Sequence, residues 1–123
     1  MKDSQKNGLW GEIFAARYLR EKGYEVISAN YRSRFGEIDI IAQDAEYLCF
    51  VEVKTRGADA IAAPGESVDA AKQKRISLTA AQFLTQNPTT ARQPRFDVLE
   101  VYLDAQSRSV KIRLLQNAFD STI

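Results

Sequence analysis

The apolar positions of this chain follow two periods. From about Ser4 to Lys22, Leu9, Ile13, Ala16 and Leu19 recur at helical spacing and predict a helix that Gly23 ends. Ser67 to Gln86 predicts a second long helix, with Ser67 as its N-cap. Tyr24–Arg32, Gly36–Gln43 and Tyr47–Thr55 read as strands, the third rich in aromatic and β-branched residues. Thr55–Glu66 is a Gly- and Ala-rich loop containing Arg56, and Pro88–Pro94 is a connector. Arg95–Asp104 and Ser109–Leu115 predict two further strands. The order α-β-β-β-α-β-β predicts one α/β domain over residues 1–123, a mixed sheet with a helix on each face.

Register sharpens this picture at the second hairpin. If Ala45 and Glu46 form its turn, residues whose numbers sum to 91 lie opposite each other. Ile41 then faces Phe50, Asp39 faces Glu52 and Glu37 faces Lys54, all on one sheet face because side chains alternate with period two. A slip of one residue would mix charge with core, so the pattern favours this pairing. Directly opposed side chains sit roughly 5 Å apart at Cβ. Two carboxylates that close repel unless one holds a proton or a cation bridges them. Asp39, Glu52 and the backbone carbonyl of Val53 therefore form a candidate site for a hard divalent cation. Lys54, two residues past Glu52, would point to the same place, there to orient or deprotonate an attacking water. The competing reading is a solvated strand face with cross-strand ion pairs. Val51 and Val53 on the other face argue for a central strand, where unused charge is expensive.

Composition narrows the chemistry. Apolar residues make up 45% and charged residues 27%, which suits a globular domain. There is no histidine, which removes imidazole catalysis and histidine-ligated metals. The one cysteine, Cys49, forms no internal disulfide, alternates with Val51 and Val53, and reads as a small buried hydrophobe. Carboxylate, lysine and hydroxyl chemistry remains, and any metal should be oxygen-liking: magnesium, with manganese as substitute. The net charge of +1 means that a DNA-binding face must be local. The first ten residues include Lys2, Asp3 and Lys6 and no apolar run, unlike a signal peptide. Runs such as Leu48–Val51 are too short to cross a membrane, so a cytoplasmic setting is expected.

Other residues converge on the same place. Glu12 falls on the stripe of Ala16 and Leu19, so it is either a further ligand or a rim carboxylate. Lys72 lies between Val68 and Ile76 on the second helix; it either reaches a phosphate or runs along the core edge. Arg32, Arg34 and Arg56 flank the pocket in sequence, and Lys74 and Arg75 continue the second helix; such groups position a phosphate backbone. Arg95 and Asp97 read as a structural ion pair. Trp10 and Tyr18 read as core anchors, interface residues or stacking platforms.

Gly11-Glu12, Tyr18-Leu19, Gly23-Tyr24, Asn30-Tyr31-Arg32, Gly36-Glu37-Ile38-Asp39, Phe50-Val51-Glu52-Val53-Lys54, Lys72-Gln73 and Arg95-Phe96-Asp97-Val98 together resemble the YraN-like bacterial proteins, which are described as endonuclease-related. The resemblance covers nearly the whole chain. It implies a restriction-endonuclease-like fold, similar to archaeal Holliday junction resolvases. In that superfamily an Asp…Glu-x-Lys signature binds a divalent metal and cleaves nucleic acid. By position, Asp39 and Glu52 would be metal ligands, Lys54 the catalytic lysine, and Glu12 the acidic residue of the first helix. Ile38 stands where the superfamily motif has proline. The resulting expectation is a magnesium-dependent deoxyribonuclease acting on branched or otherwise structured DNA. A homodimer would suit a symmetric junction. The alternative is a nucleic-acid-binding or adaptor module that keeps the fold without catalysis.

Overall fold

A computed structural model describes residues 3–57, 68–88, 91–104 and 106–122. The elements are α1 (Asp3–Glu21), β1 (Glu25–Arg32), β2 (Glu37–Gln43), β3 (Tyr47–Gly57), α2 (Ala70–Gln86), β4 (Gln93–Asp104) and β5 (Ser109–Phe119). The order is the α-β-β-β-α-β-β read from the sequence. The five strands lie in sequence order in one sheet. All neighbours are antiparallel except β3 and β4, which run parallel because α2 carries the chain between them.

Each helix covers one face, and the buried residues divide accordingly. Ala15 and Leu19 of α1 pack with Ile40, Ala42, Cys49, Val51, Leu99 and Val101. Val68, Ile76, Ala80 and Phe83 on the α2 side pack with Ile41, Leu48, Phe50, Phe96 and Val98. β3 is thus the central strand with both faces covered. Among the described residues, no helix is long and apolar enough to cross a membrane.

Several local expectations need correction. The inward stripe of α1 is Gly11, Ala15 and Leu19, whereas Leu9 and Ile13 are about half exposed, as is Trp10. Apolar spacing alone did not separate the two stripes, because Gly11 carries no hydrophobic signal. It is buried because α1 lies so close to β3 that a Cβ there would collide with the Thr55 side chain. Trp10 stacks on Phe14 at the surface and is not a core anchor. Arg56 lies within β3, not in a loop, because β3 stays paired with β4 to Gly57↔Leu103. The expected N-cap Ser67 lies outside the described residues. α2 is capped by Asp69, whose carboxylate accepts the Lys72 N–H at 2.8 Å. Gly23, at φ 94°, ends α1 as read, with the Tyr24 N–H donating to the Leu19 carbonyl.

A candidate metal centre where the hairpin opens

The hairpin of β2 and β3 turns at Ala45 and Glu46. Asp44 tightens it by accepting the N–H groups of Glu46 and Tyr47. The pairs Gln43↔Leu48, Ala42↔Cys49, Ile41↔Phe50 and Ile40↔Val51 each sum to 91, the register read from the sequence. Beyond Ile40 the ladder stops. Ile38 buries on the α2 side together with Ile41, although Ile40 between them faces α1, so strict alternation fails at Asp39. This overturns the expectation of six residues on one continuous face. Glu37 does not face Lys54; it turns to Arg32 on β1, 3.4 Å away. Lys54 is registered with Glu100 on β4.

The opening leaves backbone groups of β3 without strand partners, and Asp39 fills part of the gap. Its Oδ2 accepts the Val53 N–H at 2.8 Å. A strand residue's N–H and C=O point to the same side, so the Val53 carbonyl faces the same opening. Asp39 and Glu52 lie together between two clefts. One, of about 440 Å³, is bordered by Glu12, Val53, Thr55 and Arg56. The other, of about 200 Å³, is bordered by Gly36, Glu37, Lys72 and Arg75. Glu12, Glu37 and Asp39 each bring a carboxylate oxygen within 4.8 Å of the others.

Crowding of acids shows in their proton affinity. Burial, and next the Glu52 charge, push Asp39 up to about 7; the Val53 N–H works against them. When protonated, Asp39 hydrogen-bonds Glu52. Glu12 is also raised: burial is the main cause, opposed by a hydrogen bond from Asn30 and reinforced by Glu37 and Glu52. Every ligand atom on offer is a carboxylate or carbonyl oxygen, and the neighbouring carboxylates raise the proton affinity of Asp39 and Glu12. That chemistry fits a hard divalent cation.

Of these acids, Glu37 pairs with Arg32, and Glu52 pairs with Lys72. Lys72 Nζ lies 2.5 Å from Glu52 Oε1, with the lysine side chain 39% exposed and the glutamate 7%. Burial alone would lower the Lys72 pKa, but the hydrogen bond and charge of Glu52 outweigh it and raise it. Of the arginines, Arg56 borders the larger cleft and approaches Glu100 at 3.9 Å. Arg32 pairs with Glu37, and Arg34 lies over the Phe35 ring, outside the residues that border the clefts.

Sequence reasoning missed Asn30 as a site residue. It stands on β1 at φ 55°, a left-handed conformation that asparagine tolerates better than most residues. With its amide nitrogen turned to the acids, it donates to Glu37 Oε1 at 2.6 Å and Glu12 Oε1 at 3.3 Å. An asparagine interrupting a strand pattern was the available signal. The closeness of α1 that brings Glu12 here rests on Gly11.

The uncharacterised protein family UPF0102 matches residues 11–101 of this chain. A UPF0102 protein of Symbiobacterium thermophilum is 46% identical over 116 residues, covering 94% of this chain and 98% of that protein. One from Moorella thermoacetica is 39% identical over 115 residues, covering 94% and 96%. One from Desulforapulum autotrophicum is 41% identical over 117 residues, covering 95% of each.

Proposed function

The chain belongs to the UPF0102 family, and from that premise we propose that it is a magnesium-dependent endonuclease that hydrolyses phosphodiester bonds in DNA, branched or otherwise structured DNA in particular. The observation that carries the reading is the convergence of Asp39, Glu52 and the Val53 backbone where the hairpin opens, with Glu12 beside them. Asp39, Glu52 and the Val53 carbonyl would hold the ion. When bound, it would supply charge neutralisation at the scissile phosphate and acidify a water.

The chain's own residues divide the remaining work. The Val53 N–H occupies one Asp39 oxygen and so fixes the carboxyl's orientation, leaving the other for a ligand. Asn30 bridges Glu12 and Glu37 by donating to both. Glu12, with its raised proton affinity, suits the acceptance of a proton at the rim. Lys54, on the strand that carries Glu52, takes the role of orienting or deprotonating the attacking water. Arg56 and Lys72 offer positive charge to a phosphate entering from either cleft. Water oxygen bonds to phosphorus, one ester P–O bond breaks, and the leaving oxygen takes up a proton.

The test is manganese binding by calorimetry, on the wild type and on Glu52→Gln, followed by cleavage assays on duplex, single-stranded, flap and four-way-junction DNA. Binding and cleavage that both disappear in Glu52→Gln support the reading. A folded wild type that binds no metal, with or without DNA, and cleaves none of these substrates overturns it in favour of a non-catalytic binding module.

A further inference from the structure

We propose that Lys72 is a built-in, displaceable cation. It holds Glu52 until a divalent metal arrives, the metal displaces it, and its ammonium then contacts the substrate phosphate. The inference rests on the metal-dependent reading above and specifies how the site is kept ready. Glu52 is nearly buried, and its Oε1 is taken by Lys72 Nζ at 2.5 Å. A divalent ion placed between Asp39 and Glu52 would need that oxygen. Two cations cannot share it without strong like-charge repulsion in a partly buried cleft.

The lysine is anchored at its base and partly exposed toward its tip. Its own N–H is held by the Asp69 cap at 2.8 Å, and Gln73 fixes the same turn by donating to the Val68 carbonyl at 2.7 Å. Val68 and Ile76 on the same stripe are buried, which pins the helix to the sheet. The side chain above them is more than a third exposed and borders the cleft with Gly36 and Arg75. Gly36 leaves the approach uncluttered, since a Cβ there would press on the Arg75 side chain at 3.3 Å. A four-carbon stem with a fixed root can swing its ammonium from Glu52 to a phosphate in that cleft without moving α2. In the free protein the lysine also relieves acid repulsion, which keeps the ligands in place.

The two roles predict effects of opposite sign from one substitution. Lys72→Met should bind manganese roughly tenfold more tightly than the wild type, because a competing cation is gone. It should cleave DNA at least about a hundredfold more slowly, because a phosphate contact is gone. Lys72→Gln should behave alike and serves as a second variant, with folding checked by circular dichroism. In the wild type, the Lys72 ammonium signal in nitrogen-15 NMR should be protected from exchange and lose that protection on saturation with magnesium. Manganese binding to a folded Lys72→Met that is unchanged or weaker, or an ammonium signal that stays protected with magnesium bound, overturns the proposal. If the wild type binds metal through Glu52 while Lys72→Met shows no gain, this inference fails and the metal-dependent reading stands. If the wild type and both Lys72 variants bind no metal, Lys72 is not what opposes it and both fail.

Discussion

Two ion pairs in this molecule, one buried and one open to a cleft, use similar chemistry in different surroundings. Arg95 and Asp97 form a bidentate pair at 2.9–3.2 Å, both nearly inaccessible. Arg95 also donates to the Tyr24 hydroxyl and lies over the Tyr47 ring, while Asp97 accepts the Asn117 N–H. Burial alone would lower the arginine's pKa; these partners, Asp97 foremost, raise it instead. Lys72 and Glu52 meet at a single point, beside three further carboxylates, with the lysine partly in solvent. A pair whose donors and acceptors are used up belongs to the scaffold. A pair with further carboxylates beside it, open to a cleft, has room for the exchange of partners proposed above.

The largest effect should come from breaking the closed pair. Arg95→Leu leaves Asp97 buried without its counter-ion and should cost about 3–5 kcal/mol in chemical denaturation. A loss under about 1 kcal/mol would erase the distinction between the two pairs. Next, Gly11→Ala drives a methyl group into Thr55 and should cost about 1–3 kcal/mol. It should also weaken manganese binding, since Glu12 follows Gly11 on α1; partial rescue by Thr55→Ala would tie the effect to that contact.

Asp39 sets a pH dependence of definite sign. Its proton affinity in the fold is raised to about 7, so between about pH 4 and pH 7 the native state holds a proton that the unfolded chain has released. Stability of the metal-free protein should therefore fall as pH rises through that window. Asp39→Asn should flatten the curve and raise stability at pH 8 by about 1–2 kcal/mol while abolishing metal binding. Denaturation curves at pH 5 and pH 8 check both statements. The smallest stability effect should be that of Lys72→Met, about 1 kcal/mol or less, because the open cleft lets water replace the ammonium at Glu52. A loss as large as that of Arg95→Leu would make the Lys72–Glu52 pair structural after all.

How much of this was legible varied with distance along the chain. The β2–β3 register was readable because a two-residue turn and period-two alternation are local constraints. The burial of Cys49 and the Arg95–Asp97 pair followed from the same alternation. The break at Asp39 was not readable. It depends on Ile38 entering the α2-side core, with Tyr31 and Ile38 paired across β1 and β2. Nor did spacing reveal that Leu9 and Ile13 face outward, since the deciding residue, Gly11, acts through what it lacks.

By itself, then, the sequence determined the elements, their order, the hairpin pairing and the restriction to oxygen and amine chemistry, because each follows from local propensity, short loops or the absence of histidine. Only the tertiary structure decided that the strands part at Asp39, that Asn30 enters between Glu12 and Glu37, and that Lys72 rather than Lys54 touches Glu52. Those outcomes depend on how closely two helices seat on opposite faces of one sheet. That distance is set by packing between residues far apart in the chain, which no local pattern encodes.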